Sequence, residues 1–227
     1  MKTDGRSIDS NGGNMAKRIK PDLLLEKDAW ASGAVLVAGL DEAGRGPLAG
    51  PVVAAAVILD PEGLLGLDRL DDSKRLSAKL REALCPIIRA QARSWAVGVA
   101  TEQEIDSHNI LQATFMAMRR AVAGLSLAPD RVLVDGPHAP FREPPCRTVV
   151  HGDAISMSIA AASILAKVHR DALMEGLDAR WPGYGFLRNK GYGTPEHLRA
   201  LARLGPCPVH RKSFTTGLLG CLPGLVL

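Results

Sequence analysis

The stretch from Val35 to Leu59, VLVAGLDEAGRGPLAGPVVAAAVIL, leaves the chain few choices. Two apolar runs, Val35 to Leu40 and Val52 to Leu59, each have the length and content of a buried strand. Between them stand Gly44, Gly46, Pro47, Gly50 and Pro51, too many breakers for a crossover helix. The two runs are therefore expected to pair antiparallel across a glycine-rich turn. Asp41 and Glu42 then fall at the end of a buried strand, where adjacent negative charge needs a partner to neutralise it.

The rest of the chain reads as strands alternating with helices. PDLLLEKDAWASG can form a short amphipathic helix laid over the body of the domain. Ser77 caps a helix running through SAKLREALCPIIRAQA, and Ser94 to Ala100 is a strand. Thr101 and Glu104 have capping-box spacing, ahead of a helix through NILQATFMAMRRAVAGL. RVLVDG is a strand ending at Asp135, CRTVVHGDA brings another to Asp153, and a long helix starts from Ile155. Thr194-Pro195 places a cap and a first-turn proline on a further helix. This order predicts an α/β fold, a mixed central sheet flanked by helices. Residues 1–20 are polar and rich in Gly, Asn and Ser and are expected to be a disordered extension, leaving 21–227 as one domain.

Asp41, Glu42, Asp135 and Asp153 share a placement, each where a strand stops or a helix begins. Singly, each has an ordinary explanation: Asp135-Gly136 suits a turn and Asp153 suits a helix cap. Glu42 resists such a reading, because it follows another acid and caps nothing. In sheets flanked by helices these ends converge on one crevice. Two unit charges ~4 Å apart repel by about 4 kcal/mol at an effective dielectric near 20. Several such pairs would rival the whole stability of a domain, roughly 5–15 kcal/mol. A hard divalent cation such as Mg²⁺ or Mn²⁺ would relieve the repulsion, and a pair of such ions supports phosphoryl hydrolysis.

The glycine-rich turn does not match a nucleotide loop. Its third glycine comes one position late, two prolines intervene, and a strand rather than a helix follows. Glycine here serves close backbone approach to a ligand, with Arg45 supplying charged donors; the ordinary alternative is a hairpin turn carrying an exposed arginine.

The segments GLDEAGRGPLAGPVVAAAVIL, LDDSKRLS, VLVDG, HGDAISMSIAAASILAKVHRD, NKGYGTPEH and HRKSF, in that order, resemble the bacterial ribonuclease HII family over about residues 35 to 214. The resemblance implies a ribonuclease H-like fold with a helical C-terminal portion. It implies that Asp41, Glu42, Asp135 and Asp153 bind metal; two Mn²⁺ or Mg²⁺ ions with substrate bound is the working expectation from two-metal phosphoryl hydrolysis. Gly44, Arg45 and Gly46 would contact the ribonucleotide's 2′-hydroxyl and adjacent backbone, and Tyr192 would pack on the sugar beyond the junction. The implied substrates are RNA–DNA hybrids and duplex DNA with embedded ribonucleotides. Cleavage would fall 5′ to the ribonucleotide, leaving 3′-hydroxyl and 5′-phosphate ends.

Ser73, Lys74, Lys167 and Arg170 are further candidates for phosphate contact, and Lys190, His210 and Arg211 stand beside them; each could equally be surface or structural. Of the other histidines, His108, His138, His151, His169 and His197 show no metal spacing and read as surface or capping groups. The four scattered cysteines have no C-x-x-C pair and read as free thiols. A formal charge of +4 permits a polyanionic partner without requiring one. No apolar run approaches ~18 residues, and a soluble cytoplasmic monomer is expected. The apolar tail TTGLLGCLPGLVL reads as a strap on the core, with docking to a sliding clamp as the alternative. A nuclease of similar architecture acting on DNA alone, and a silent nucleic-acid binder, are the rival functions. The glycine turn with Tyr192 speaks against the first. The four acids speak against the second, since a pure binder gains nothing from carboxylates facing phosphate.

Overall fold

A computed structural model describes residues 20–219, with side chains through Thr216. The expected N-terminal extension, apart from Lys20, lies outside the described residues, as does the tail beyond Leu219. Five strands form one mixed sheet: β1 (Val37–Ala43), β2 (Val52–Leu59), β3 (Ala92–Ala100), β4 (Arg131–Asp135) and β5 (Cys146–Val149), in the order β3-β2-β1-β4-β5. β2 pairs antiparallel with β1, as the glycine-rich turn demands, and antiparallel with β3 on its other side. β4 runs parallel to β1, and β5 parallel to β4.

The central strand β2 is buried along its whole length, which its unbroken run VVAAAVIL anticipates. One side chain set, Val53, Ala55, Val57 and Leu59, meets helices α2 (Ala78–Gln91) and α4 (Met157–Arg180). The alternate set, Val52, Ala54, Ala56 and Ile58, meets helix α3 (Glu102–Ala123) on the opposite face. Small residues let the layers close: a Cβ on Gly39 of β1 would lie 2.1 Å from the Ser158 carbonyl carbon at the start of α4. Helices α5 (Phe186–Asn189), α6 (Pro195–Leu204) and α7 (Lys212–Leu219) form the C-terminal portion around Met174, Tyr184, Phe186 and Leu201.

The expected caps are present at Ser77, Thr101 with Glu104, and Thr194. Three expectations need correction. Helix α1 (Leu24–Ala31) is not simply amphipathic: Glu26 is buried while Leu24 is exposed. The reason is a fixed hydrogen-bond set, in which Glu26 Oε1 accepts from Ser156 Oγ at 2.6 Å, Ser158 Oγ at 2.6 Å and Ser158 N at 3.0 Å. Helix α3 is broken at Asn109, which takes a strained positive φ with extended ψ (67°, 164°) and caps the second part by accepting from Gln112 N. The long helix begins at Met157 with Ser156 as its cap, and Asp153 sits earlier, in a one-turn 3-10 helix, Gly152–Ala154.

Candidate active site

β1 runs on past Leu40, the expected end of the apolar strand, so Asp41 and Glu42 come just before its last residue, paired with Ala55 and Ala54 of β2. What ends is the other neighbour. The β1–β4 ladder stops at Leu40 and Val134, and one further step aligns Asp41 with Asp135. Successive strand residues point to opposite faces. Asp41 therefore shares the α4 side with Gly39, and Glu42 the α3 side, and both reach the cleft at the rim where β4 no longer covers β1. Asp135 joins them from the tip of β4, its Oδ1 accepting from Gly152 N at 2.7 Å. This bond ties the 3-10 turn that carries Asp153 to the same rim.

The cleft, about 210 Å³, is lined by Asp41, Glu42, Asp135, the turn Gly44–Gly46, Ser73, Lys74, Ser163, Lys167, Arg170 and Tyr192. Asp153 is not among the lining groups. It is buried behind Lys74, whose ammonium stands 3.7 Å from Asp153 Oδ2 and is itself largely exposed. That separation is an ion pair and not a hydrogen bond, so Asp153 Oδ2 is a buried oxygen with no hydrogen-bond partner.

Burial raises the Asp41 pKa well above the ordinary carboxylate range, and Glu42 and Asp135 add to the rise. Ser163 and the Glu42 backbone N–H, 2.6 Å from Asp41 Oδ1, act against it. Burial also raises Glu42, where Arg45, 3.4 Å away, works in the other direction. Asp153 is raised by burial, then by Asp135 and Asp72. Burial disfavours the charge on Lys74, yet the surrounding carboxylates, Asp153 first, outweigh it and raise its pKa. For Asp41, Glu42 and Asp153, burial and neighbouring carboxylates thus outweigh the cations around the cleft. Among the described residues, no group of three or more His, Cys, Asp or Glu side chains is drawn tightly enough to enclose an ion. The donor set nevertheless fits a hard divalent cation: its donors are oxygens, they repel one another, and one is buried without a hydrogen bond.

Beside the acids, the glycine turn is held from behind. Arg211 donates from Nη2 to the carbonyls of Gly44 at 2.6 Å and Gly50 at 2.7 Å, and from Nη1 to that of Arg45 at 2.9 Å. Arg170 donates to the carbonyls of Pro51 at 3.0 Å, Lys190 at 2.9 Å and Ala49 at 3.3 Å. Both guanidiniums are fully buried, so Arg170 and Arg211 support the loop and are not placed to contact phosphate. Tyr192 is 45% exposed, and its ring faces Gly46, where a Cβ would meet its Cε1 at 3.7 Å.

The remaining candidates divide. Lys74 is largely exposed at the cleft mouth, with its ammonium directed to Asp153. Ser73 is buried, its hydroxyl 2.7 Å from that of Ser163, so its side chain fixes the loop onto α4. Lys167 is paired with Asp171 at 2.7 Å, and burial lowers its pKa. Lys190 lies outside the cleft lining, with Nζ 3.4 Å from the Asp171 carbonyl. His197 and His210 are buried against each other, which corrects the surface reading of His197. Two neighbours of the acids were not singled out from the sequence, Asp72 and Ser163. Ser163 carried a signal, a hydroxyl one helical turn before Lys167 in an otherwise apolar run.

The family model described as Ribonuclease HII matches residues 38–217. A Ribonuclease HII from Desulfitobacterium hafniense (strain Y51) is 54% identical over 199 residues, covering 88% of this chain and 76% of that protein. A Ribonuclease HII from Bordetella pertussis is 58% identical over 179 residues, covering 79% and 88%. The chain is also similar to the solved PCNA:RNase HII complex from Archaeoglobus fulgidus, with a TM-score of 0.68 and 28% identity over 79% of this chain and 94% of that one.

Proposed function

The chain belongs to the ribonuclease HII family, and on that premise we propose that Asp41, Glu42, Asp135 and Asp153 form its reaction centre, with Gly44–Gly46 and Tyr192 reading the substrate. The enzyme is an endoribonuclease, a hydrolase that cuts the RNA strand of RNA–DNA hybrids and nicks duplex DNA 5′ to embedded ribonucleotides. The observation that carries the site assignment is the convergence of three buried or half-buried acids on one cleft with the glycine turn and the exposed tyrosine.

The family depends on divalent metal ions, and ions bound here would supply an activated water and stabilise the leaving 3′-oxygen. Asp41 and Asp135 are the central ligands in this reading, with Glu42 and Asp153 completing the set. Oxygen-only donors favour Mg²⁺ or Mn²⁺, two with substrate bound.

The other residues act by recognition and placement. The turn's carbonyls at Gly44, Arg45 and Gly50 point inward to Arg211, so its outer surface faces the cleft. Gly46 lacks the Cβ that would hold a sugar at a distance, and backbone groups there reach a 2′-hydroxyl. The Tyr192 face packs on the following deoxyribose, where an added hydroxyl would spoil the contact. Lys74 and Arg45 leave their carboxylates to meet backbone phosphates. Lys167 steadies Asp171 and contributes positive field. No described helix is long and apolar enough to cross a membrane, and a cytoplasmic monomer acting on duplex nucleic acid suits this reading. A sliding clamp is the protein partner to assay, since the Archaeoglobus fulgidus protein is solved with PCNA.

The test is incubation of the protein with a duplex bearing one ribonucleotide, with Mg²⁺ or Mn²⁺, and mapping of the cut. One nick on the 5′ side of the ribonucleotide, leaving 3′-hydroxyl and 5′-phosphate, is expected. Equal cutting of an all-DNA duplex would overturn the assignment of the glycine turn and Tyr192.

A further inference from the structure

Behind Tyr192 lies a buried pair of imidazoles that the proposed reaction does not use. His197 sits on α6 and His210 on the segment before α7, both fully or almost fully buried. Their Nε2 atoms are 3.0 Å apart. The rings of Tyr184 and Phe186 enclose them, with centroids 4.9 and 5.6 Å from His210.

The hydrogen bonds at the two outer nitrogens fix which ring carries which proton. His197 Nδ1 is 2.9 Å from the carbonyl oxygen of Tyr192, which can only accept. His197 Nδ1 therefore bears the hydrogen. In a neutral ring its Nε2 is then a lone pair, so His210 Nε2 must donate. That leaves His210 Nδ1 as an acceptor, and the backbone N–H of Cys207 points at it from 3.0 Å. The Cys207 carbonyl, 3.2 Å from the same nitrogen, already accepts from the His210 backbone N–H at 2.9 Å. Burial lowers the pKa of both rings, to about 4 for His210, which agrees with two neutral imidazoles.

We infer that His197 and His210 form a one-directional hydrogen-bond relay, from Cys207 N–H through both rings to the Tyr192 carbonyl, and that they are positioning residues for Tyr192. The inference rests on the Tyr192 role proposed above. The loop bearing Tyr192 is in need of such ties. Lys190 and Gly191 both have positive φ, at 50° and 83°, and a Cβ at Gly191 would lie 2.3 Å from the Ala49 carbonyl oxygen. The Tyr192 carbonyl receives two donors, His197 Nδ1 and the Thr194 N–H at 2.8 Å, which together fix the peptide from which the ring projects. The other end of the relay is anchored four residues before Arg211, the side chain that grips the glycine turn. Leu48 closes the circuit, donating to the Gly191 carbonyl at 2.8 Å and accepting from Arg211 N at 2.9 Å. The two halves of the substrate reader, the turn and the tyrosine, are thus referenced to one buried frame.

Nitrogen-15 NMR of the histidine-labelled full chain tests the relay directly. At pH 7 without substrate, the expected result is opposite tautomers, hydrogen on Nδ1 of His197 and on Nε2 of His210. Matching tautomers, or a cationic ring, overturn it. Function is tested by comparing cleavage at a single ribonucleotide with cleavage of a continuous hybrid. His197→Asn keeps an amide donor near the Nδ1 position, whereas His197→Gln places it near Nε2 and releases the Tyr192 carbonyl. The ratio should fall roughly three- to tenfold in His197→Gln, the worth of one hydrogen bond, and stay near wild type in His197→Asn. Equal ratios in the two variants overturn the positioning role. Tyr192→Ala is measured alongside: an unchanged ratio there overturns the Tyr192 reading itself, while the tautomers still judge the relay.

Discussion

Arg211 Nη2 and the carbonyl oxygen of Gly44 lie 2.6 Å apart, joining residues 167 positions distant in the chain. Burial disfavours the guanidinium's charge, and the nearby Arg170 adds to the penalty. The carbonyls of Gly44, Arg45 and Gly50 compensate, and only a planar fork reaches all three. Arg211→Lys should therefore cost about 3–5 kcal/mol, as expected when a buried charge loses its partners. Urea unfolding checks the value; a loss within error of zero would show that the carbonyl cage is dispensable.

The glycines of the turn should respond differently. Gly44 has φ +99°, and a Cβ there would lie 2.0 Å from Arg170 Nε and 2.8 Å from the Pro51 carbonyl. Gly44→Ala should lower stability by several kcal/mol and activity with it. Gly46 has neither constraint, since a Cβ meets only Tyr192 at 3.7 Å. Gly46→Ala should melt within a few degrees of wild type and still lose cleavage at embedded ribonucleotides. Differential scanning fluorimetry beside a nicking assay separates the two cases, and a destabilised Gly46→Ala would contradict this division.

Removing a carboxylate should stabilise the metal-free protein. Burial, Glu42 and Asp135 all raise the Asp41 pKa, so its ionised form opposes folding at any pH above that raised value. Asp41→Asn should gain about 1–3 kcal/mol in the presence of a chelator at pH 8. The gain should shrink as the pH falls and the wild-type carboxyl takes up its proton. Cleavage should be abolished. Adding Mn²⁺ should raise the melting temperature of wild type more than that of the variant. A variant that responds to Mn²⁺ as wild type does would remove Asp41 from the ligand set.

Much of this arrangement was legible in the chain because the signals were local. The pairing of β1 with β2 followed from two apolar runs and the breakers between them, and the caps at Ser77, Thr101 and Thr194 followed from side chains that bond their own helix. The burial of Glu26, His197, Arg170 and Arg211 was not legible. Each is polar, and each is accommodated by partners distant in sequence: Ser156 and Ser158 for Glu26, loop carbonyls for the arginines, a second imidazole for His197. A sequence pattern records polarity but not the partner that makes burial tolerable. The same limit applies to Ser73, whose hydroxyl turns inward to Ser163.

His210 should leave a mark on acid stability. Burial, with His197 next, lowers its pKa to about 4, against ~6.5 in an unfolded chain. Between those values the unfolded state holds a proton that the folded state lacks. Its contribution is therefore complete above ~6.5 and is lost as the pH falls toward 4. The urea midpoint should drop less steeply over that window in His210→Asn than in wild type. Parallel curves would assign the acid sensitivity to other groups.

Gly39 has no side chain to separate β1 from α4, and the Ser158 backbone lies where its Cβ would be. Two residues along the same face comes Asp41, and little more than one turn along the helix comes Ser163, which bonds it. The missing methyl therefore works as a gauge, setting how far the carboxylate stands from the helix. Alanine at this position would wedge helix and strand apart at their point of closest approach. The mouth of the cleft would open with them, spoiling the spacing of groups that no substitution had touched.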